Sequence, residues 1–206
     1  MCYDYPEVVC MNENKQEKEP LIRSVFDIVE MMIIAVMIVF LLFMCLARPC
    51  RVDGDSMNNT LHHGQMLIIS PLFYTPQTGD VIVFHQTSKE NPSFNEPIVK
   101  RVIALGGQYV KIDTDAGKVY VSDDETITEE DLLTENYIYL DCGYWRDYYH
   151  ISDKIIHVPE GSVFVMGDNR NNSADSRYSV IGCVDTRRIL GKVLLRLTPL
   201  SKFGPI

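Results

Sequence analysis

Hydrophobic and polar positions divide this chain into two patterns. From Met31 to Ala47 it reads MMIIAVMIVFLLFMCLA, seventeen residues without a charge, bracketed by Asp27, Glu30 and Arg48. Val25, Phe26, Ile28 and Val29 carry the apolar character further upstream. A helix packed in a soluble core would keep polar residues at helical period, and this run has none. With its upstream extension it is long enough to cross a bilayer. A cleaved secretory leader is the competing reading. Against it, the run begins well inside the chain, its own leader is rich in acids, and no small-x-small site closes it. The pattern predicts a transmembrane helix over 25–47. Before it, a tail over 1–24 is rich in Pro, Glu, Asn, Lys and Gln and reads as disordered.

From Arg51 onward the pattern changes to short, β-branched apolar runs. They cover Met66 to Ser70, Val81 to His85, Ile98 to Leu105, Tyr109 to Ile112, Lys118 to Val121, Ile155 to Val158, Val163 to Met166 and Ile189 to Leu197. Each reads as a strand. Thr78-Gly79-Asp80, Gly106-Gly107, Asp115-Ala116-Gly117 and Pro159-Glu160-Gly161 supply the turns between them. Short strands at irregular spacing predict a mainly β fold, a barrel or a folded sheet and not a βαβ layer. The middle departs from this. Between Asp113 and Glu160 thirteen acids face only Lys118, Arg146 and Lys154. Residues 122–133 predict a short helix with a capped, acidic start. Tyr137, Tyr139, Tyr144, Trp145, Tyr148 and Tyr149 follow it. We read 113–157 as an acidic, aromatic cap insertion with a small core of its own, set in a β domain made of 48–112 and 158–206.

Charge narrows the function. A net charge of −9 speaks against nucleic acid as a partner. Lys15, Lys18 and Arg23 precede the helix and Arg48 and Arg51 follow it, a small excess that favours a cytoplasmic N-terminus. The six cysteines include no CxxC pair, so a zinc knuckle is disfavoured. Cys45 reads as an apolar filler in the membrane run, and a bond between Cys142 and Cys183 cannot be read from spacing.

Two segments could carry chemistry. In Gly54-Asp55-Ser56-Met57-Asn58-Asn59-Thr60-Leu61, close behind the helix, a glycine before Ser56 would let a substrate backbone come near. Taken alone, such a stretch is as often a simple turn. A nucleophilic serine needs a base, and His62, His63, His85, His150, His157 or a neutral lysine could serve. Lys100 lies in Pro97-Ile98-Val99-Lys100-Arg101-Val102-Ile103-Ala104-Leu105, where alternation sets it with Ile98 and Val102. A lysine on an apolar face is costly unless paired or neutral. Burial lowers its pKa; alone, the same residue reads as a snorkelling edge-strand lysine. The most polar stretch is Gly167-Asp168-Asn169-Arg170-Asn171-Asn172-Ser173-Ala174-Asp175-Ser176-Arg177, set directly behind the apolar run ending at Met166.

These segments, together with Gly79-Asp80-Val81-Ile82-Val83-Phe84 and Gly191-Lys192-Val193, in this order behind one membrane helix, resemble bacterial type I signal peptidases. The resemblance runs from the helix to the C-terminus, and its eleven-residue polar stretch is the most specific part. It implies a signal-peptidase or repressor-like folded β-sheet barrel with a cap insertion. It implies a membrane-anchored serine endopeptidase that removes signal peptides from exported preproteins, with no metal and no cofactor. The catalytic domain would lie on the outer face of the plasma membrane, with the bilayer and the secretion translocon as neighbours. Carried onto this chain, Ser56 is the nucleophile and Lys100 the general base. Ser173 would hold the lysine amine, and Asp175 and Arg177 would form a supporting ion pair. Val52, Asp53, Gly54 and Met57 on one side, and Ile98 and Val99 on the other, would wall small pockets for Ala-like residues at positions −1 and −3. The Ser56 backbone N–H would be one oxyanion donor. Gly54 stands where some members place a second, hydroxyl donor.

Two turns depart from the family pattern. Asn59 stands where Pro is usual, and Ala104-Leu105-Gly106-Gly107-Gln108 lacks the usual Pro and Asp. Both leave the dyad intact. Competing readings are a self-cleaving repressor-type protein, a specialised peptidase for pilin-like or conjugation proteins, and a membrane-anchored β domain that only binds a partner. The helix and the acidic charge speak against the first, and the presence of both Ser56 and Lys100 against the last.

Overall fold

The computed structural model describes residues 21–72, 74–86, 95–138, 145–146, 151–152 and 154–206. The tail before residue 21 and Tyr139, Cys142, Tyr144, Tyr148, Tyr149 and His150 lie outside the described residues. The chain divides into two compact units, 1–42 and 43–206.

The first unit is dominated by helix α1, Leu21–Leu46, of 26 residues. At 1.5 Å per residue it is about 39 Å long, more than the hydrocarbon thickness of a bilayer. Every described side chain from Arg23 to Leu41 is exposed, Phe26 and Val36 among them. Among the described residues this is one helix long and apolar enough to cross a membrane. The protein is single-pass.

The second unit is β. Its main sheet is built from β1 (Arg48–Arg51), β2 (Met66–Ser70), β3 (Val81–His85), β4 (Pro97–Leu105), β8 (Ser162–Met166), β9 (Val184–Asp185), β10 (Ile189–Arg196) and β11 (Gly204–Pro205). The order is β1-β2-β10-β3-β4-β8-β9, with β11 paired to β10, and the ladders are antiparallel. Irregularities at Val193/Leu195, Ile189/Gly191 and Val102/Ala104 bend the strands, so the sheet curls into a half-barrel. Gly191 sits at one bend because a Cβ there would lie 2.6 Å from the Ser70 carbonyl oxygen. A second sheet, β6-β5-β7, joins Lys118–Ser122, Tyr109–Asp113 and Ile155–His157. It therefore begins at Tyr109, on the near side of the acidic segment.

The core follows the alternation of these strands. Val52, Met57, Leu61, Leu67, Ile69, Val81, Val83 and Val193 form one cluster. Ile82, Phe84, Val102, Val163, Val165, Ile181 and Val184 form another. The third joins the two sheets: Ile103, Ala104, Phe164 and Met166 of the main sheet pack with Val110, Ile112 and Val119 of the small one, and with Trp145. In the acidic segment the expected helix is one 3-10 turn, Glu129–Asp131. Thr128 caps it, with a reciprocal bond from its own N–H to Asp131. The cap signal is real, but Leu132 pairs with Tyr120 and Leu133 with Val119 as extended chain, which ends the turn at once.

Candidate active site

Ser56 is presented by a turn whose apolar neighbours anchor it. Val52 is held by backbone bonds to Gln65 and Gly64, both 2.9 Å. The chain then reverses at Gly54, where φ is +83°, a region that favours glycine. The Asn58 N–H reaches the Asp55 carbonyl and the Leu61 N–H the Met57 carbonyl, at 3.1 and 2.8 Å. Met57 and Leu61 are buried. Ser56, between Asp55 and Met57, is left half-buried with its hydroxyl free to meet a neighbouring strand.

That strand is β4, and the neighbour is Lys100. Its cross-strand partner is Ile82, and only 3% of the residue is exposed. The Nζ donates to Ser56 Oγ at 2.7 Å and to the Val99 carbonyl at 2.9 Å. Burial pulls the Lys100 pKa down from 10.5 to about 8; Asp175 pulls it back up, Arg177 pushes it further down, and Asp168 acts with Asp175. With a pKa near 8 about one molecule in ten is neutral at pH 7, against about one in a few thousand for an ordinary lysine. Two candidate bases have other engagements: His62 Nδ1 lies 3.0 Å from Asn58 Oδ1, and His63 Nδ1 lies beside the Gly54 N–H and Asp53.

The polar stretch after β8 forms the wall behind this pair. Gly167 must be glycine for a steric reason: a Cβ would lie 2.3 Å from Ser173 Oγ and 2.5 Å from the Ser56 carbonyl oxygen. Through that gap the Asn169 N–H donates to the Ser56 carbonyl at 3.0 Å, and Asn169 Nδ2 to the Asp55 carbonyl at 3.1 Å. Asp168, fully buried, accepts from Arg101 Nε and Nη2 at 2.8 and 2.7 Å and from the Thr60 hydroxyl. Asp175, also fully buried, accepts from Arg177 Nε and Nη2 at 2.8 and 2.9 Å and from the Gly167 N–H at 3.0 Å. Burial works against the Asp175 carboxylate, but Arg177, the Gly167 N–H and Ser173 outweigh it and hold its pKa below the usual value. Ser176 Oγ accepts from the Val165 N–H at 2.9 Å and is structural.

In front of the pair lies a groove of about 520 Å³. Val52, Asp53, Gly54, Met57, Ile98 and Val99 all line it, with Ser56 and Lys100, and Asn172 and Ala174 also border it. Among the described residues, one wall of the groove is a strand edge with no paired neighbour. Pro97 to Lys100 pair with β3 on one side, whereas the β8 ladder starts only at Arg101. A free edge of this kind can take an extended peptide as an added strand.

Sequence reasoning named Ser56, Lys100, Ser173, Asp175 and Arg177 and gave no role to Arg101, Thr60, Glu135 or Tyr137; the Lys100 amine meets Ser56 and Val99, while Ser173 acts on the Asp175 carboxylate. Glu135 closes a buried, bidentate ion pair with Arg170. The Tyr137 ring lies 3.9 Å from the Arg101 Cζ. Arg101 carried a weak signal, as a second charge in an apolar strand. Glu135 and Tyr137 carried none, because in sequence they sit in a run of acids and aromatics.

Comparison with known proteins identifies a family. Residues 7–198 match the family model described as signal peptidase, peptidase S26. A probable signal peptidase I-1 of Synechocystis sp. is 34% identical, covering 86% of this chain and 85% of its own. A signal peptidase I of Leptolyngbya laminosa is 35% identical over 78% of this chain and 73% of its own. A signal peptidase IB of Staphylococcus aureus is 30% identical over 82% and 87%. The chain belongs to the peptidase S26 family of signal peptidases, membrane-anchored serine endopeptidases that work through a serine and a lysine.

Proposed function

We propose that Ser56 is the nucleophile and Lys100 the general base of this peptidase, acting on preproteins that carry signal peptides. The observation that supports this most is the 2.7 Å contact between Lys100 Nζ and Ser56 Oγ inside a buried site. Neutral Lys100 accepts the Ser56 proton as Oγ attacks the scissile carbonyl, and the resulting ammonium returns that proton to the leaving amine. The Ser56 N–H is the first oxyanion donor. The Asp175–Arg177 pair and Ser173 keep the lysine in line. The substrate lies extended along the free edge of β4, with small side chains at −1 and −3 against Val52, Met57, Ile98 and Val99. The N-terminus is cytoplasmic, the β domain works on the outer face of the membrane, and the secretion translocon delivers the substrate.

Ser56→Ala and Lys100→Ala are each expected to abolish cleavage of a preprotein with an Ala-x-Ala site. Cleavage-site mapping by mass spectrometry reads this directly, and substantial activity in Lys100→Ala rejects the lysine base. Protease protection in sealed cells tests the topology; digestion of the tail from outside rejects it.

A further inference from the structure

We propose that Glu135 and Tyr137, from the acidic segment, are positioning residues that hold the two halves of the dyad in register. The inference rests on the assignment of Ser56 and Lys100 above. The Glu135 side chain is 4% exposed, and both its oxygens accept from the Arg170 guanidinium, one from Nη1 at 2.9 Å and the other from Nη2. Arg170 is as deeply buried as its partner. Its Cζ lies 4.6 Å from the centre of the Trp145 ring, and its Nε donates to the Gly167 carbonyl at 3.0 Å. Two residues further on, the Tyr137 hydroxyl donates to Glu135 at 2.9 Å while its ring lies against Arg101.

The two arginines belong to opposite sides of the catalytic pair. Arg101 follows Lys100 on β4 and grips Asp168. Arg170 follows Asn169, whose N–H holds the Ser56 carbonyl, and its own carbonyl accepts from Arg177 Nη2 at 2.7 Å. One three-residue hook thus touches the strand that carries the base and the loop that holds the nucleophile. Without Glu135 the Arg170 charge is buried and unpaired, a strongly unfavourable state. Arg170 must then turn out or draw in water, and the Gly167 and Arg170 carbonyls move with it. A dyad without a histidine depends on such placement, because a shift of about 1 Å can cost a hundredfold in rate.

The test uses the full-length chain in detergent micelles and a preprotein with an Ala-x-Ala site, assayed well below each variant's melting temperature. Glu135→Leu and Tyr137→Leu are expected to lower kcat by about 10- to 100-fold with KM within about twofold. Tyr137→Phe, which keeps the ring against Arg101, should restore most of that loss, whereas Glu135→Gln, which keeps one acceptor oxygen but not the charge, should lie between Glu135→Leu and the parent. Glu135→Leu combined with Arg170→Met should be no slower than the slower single variant, the non-additivity of one coupled device. Should Glu135→Leu fail to fold, Tyr137→Leu decides by the same kcat criterion. Leu variants with kcat within twofold of the parent overturn the proposal. So does a loss of rate that merely tracks the folded fraction. Cleavage by Ser56→Ala would remove the dyad assignment itself, and the positioning role with it.

Discussion

Asp175–Arg177 and Asp185–Arg187 are the same local device, ten residues apart. In each, the arginine fork grips the aspartate two positions earlier, with Nε to Oδ1 at 2.8 Å in the first and 3.0 Å in the second. Each arginine also donates its backbone N–H to that carboxylate. Their surroundings differ. The first pair has side-chain exposures of 3% and 0%, the second of 88% and 32% for arginine and aspartate. Asp185 caps the 3-10 turn Thr186–Arg188 and reaches no further. Asp175 also takes the Gly167 N–H and acts on Lys100. Both carboxylates are held below their ordinary pKa, yet only the buried one can transmit its charge to the chemistry. Proximity of opposite charges does not give an ion pair its function; the loss of water around it does.

The contrast breaks most sharply in Asp175→Ala. Arg177, buried, loses the carboxylate that its fork grips, with an expected destabilisation of about 3–5 kcal/mol by denaturant unfolding and near-complete loss of cleavage. Gly167→Ala attacks the same wall without touching a charge. Its Cβ collides with the Ser56 carbonyl, and kcat should fall by about 10- to 100-fold in steady-state assays.

A subtler comparison uses pH. Only neutral Lys100 accepts the serine proton, so the rate should rise as pH passes through about 8. The charges acting on Lys100 are Asp175 and Asp168, which raise its pKa, and Arg177, which lowers it. Asp175→Asn removes one raising charge, so the rising limb of the kcat/KM profile should move to lower pH. Asp185→Asn should leave it in place, and an equal shift in both variants would erase the distinction drawn here. The smallest effect belongs to Arg187→Ala, whose melting temperature and cleavage rate should match the parent at any salt concentration.

How much was legible beforehand follows the same physics. The strands Met66–Ser70 and Val81–His85 have the bounds that their β-branched runs announce, because apolar residues there meet a core. Arg48–Arg51 reads Arg-Pro-Cys-Arg and gave no signal. It is a strand only because it pairs along the edge of β2, which asks little of its side chains. The pairing proposed for Ser56 and Lys100 could be suggested beforehand because both stand in segments of recognisable order. Glu135 was not legible, since the charge that pairs with it in the interior, Arg170, lies 35 residues away. A carboxylate in an acidic run looks solvated until its partner is known.

The uncovered edge of β4 has a consequence for selectivity between folded and unfolded chains. Exposed strand edges invite pairing with other proteins, and natural sheets blunt them; Pro49 and two arginines do so on β1. On β4 the edge stays chemically open but lies inside a groove walled by the Ser56 turn. A sheet edge of a finished domain brings its neighbouring strand along, and the Ser56 turn stands where that strand would lie. A single extended chain brings no such neighbour. On the proposed assignment the recess would act as a conformational filter, favouring segments that have not yet folded over the edges of finished domains.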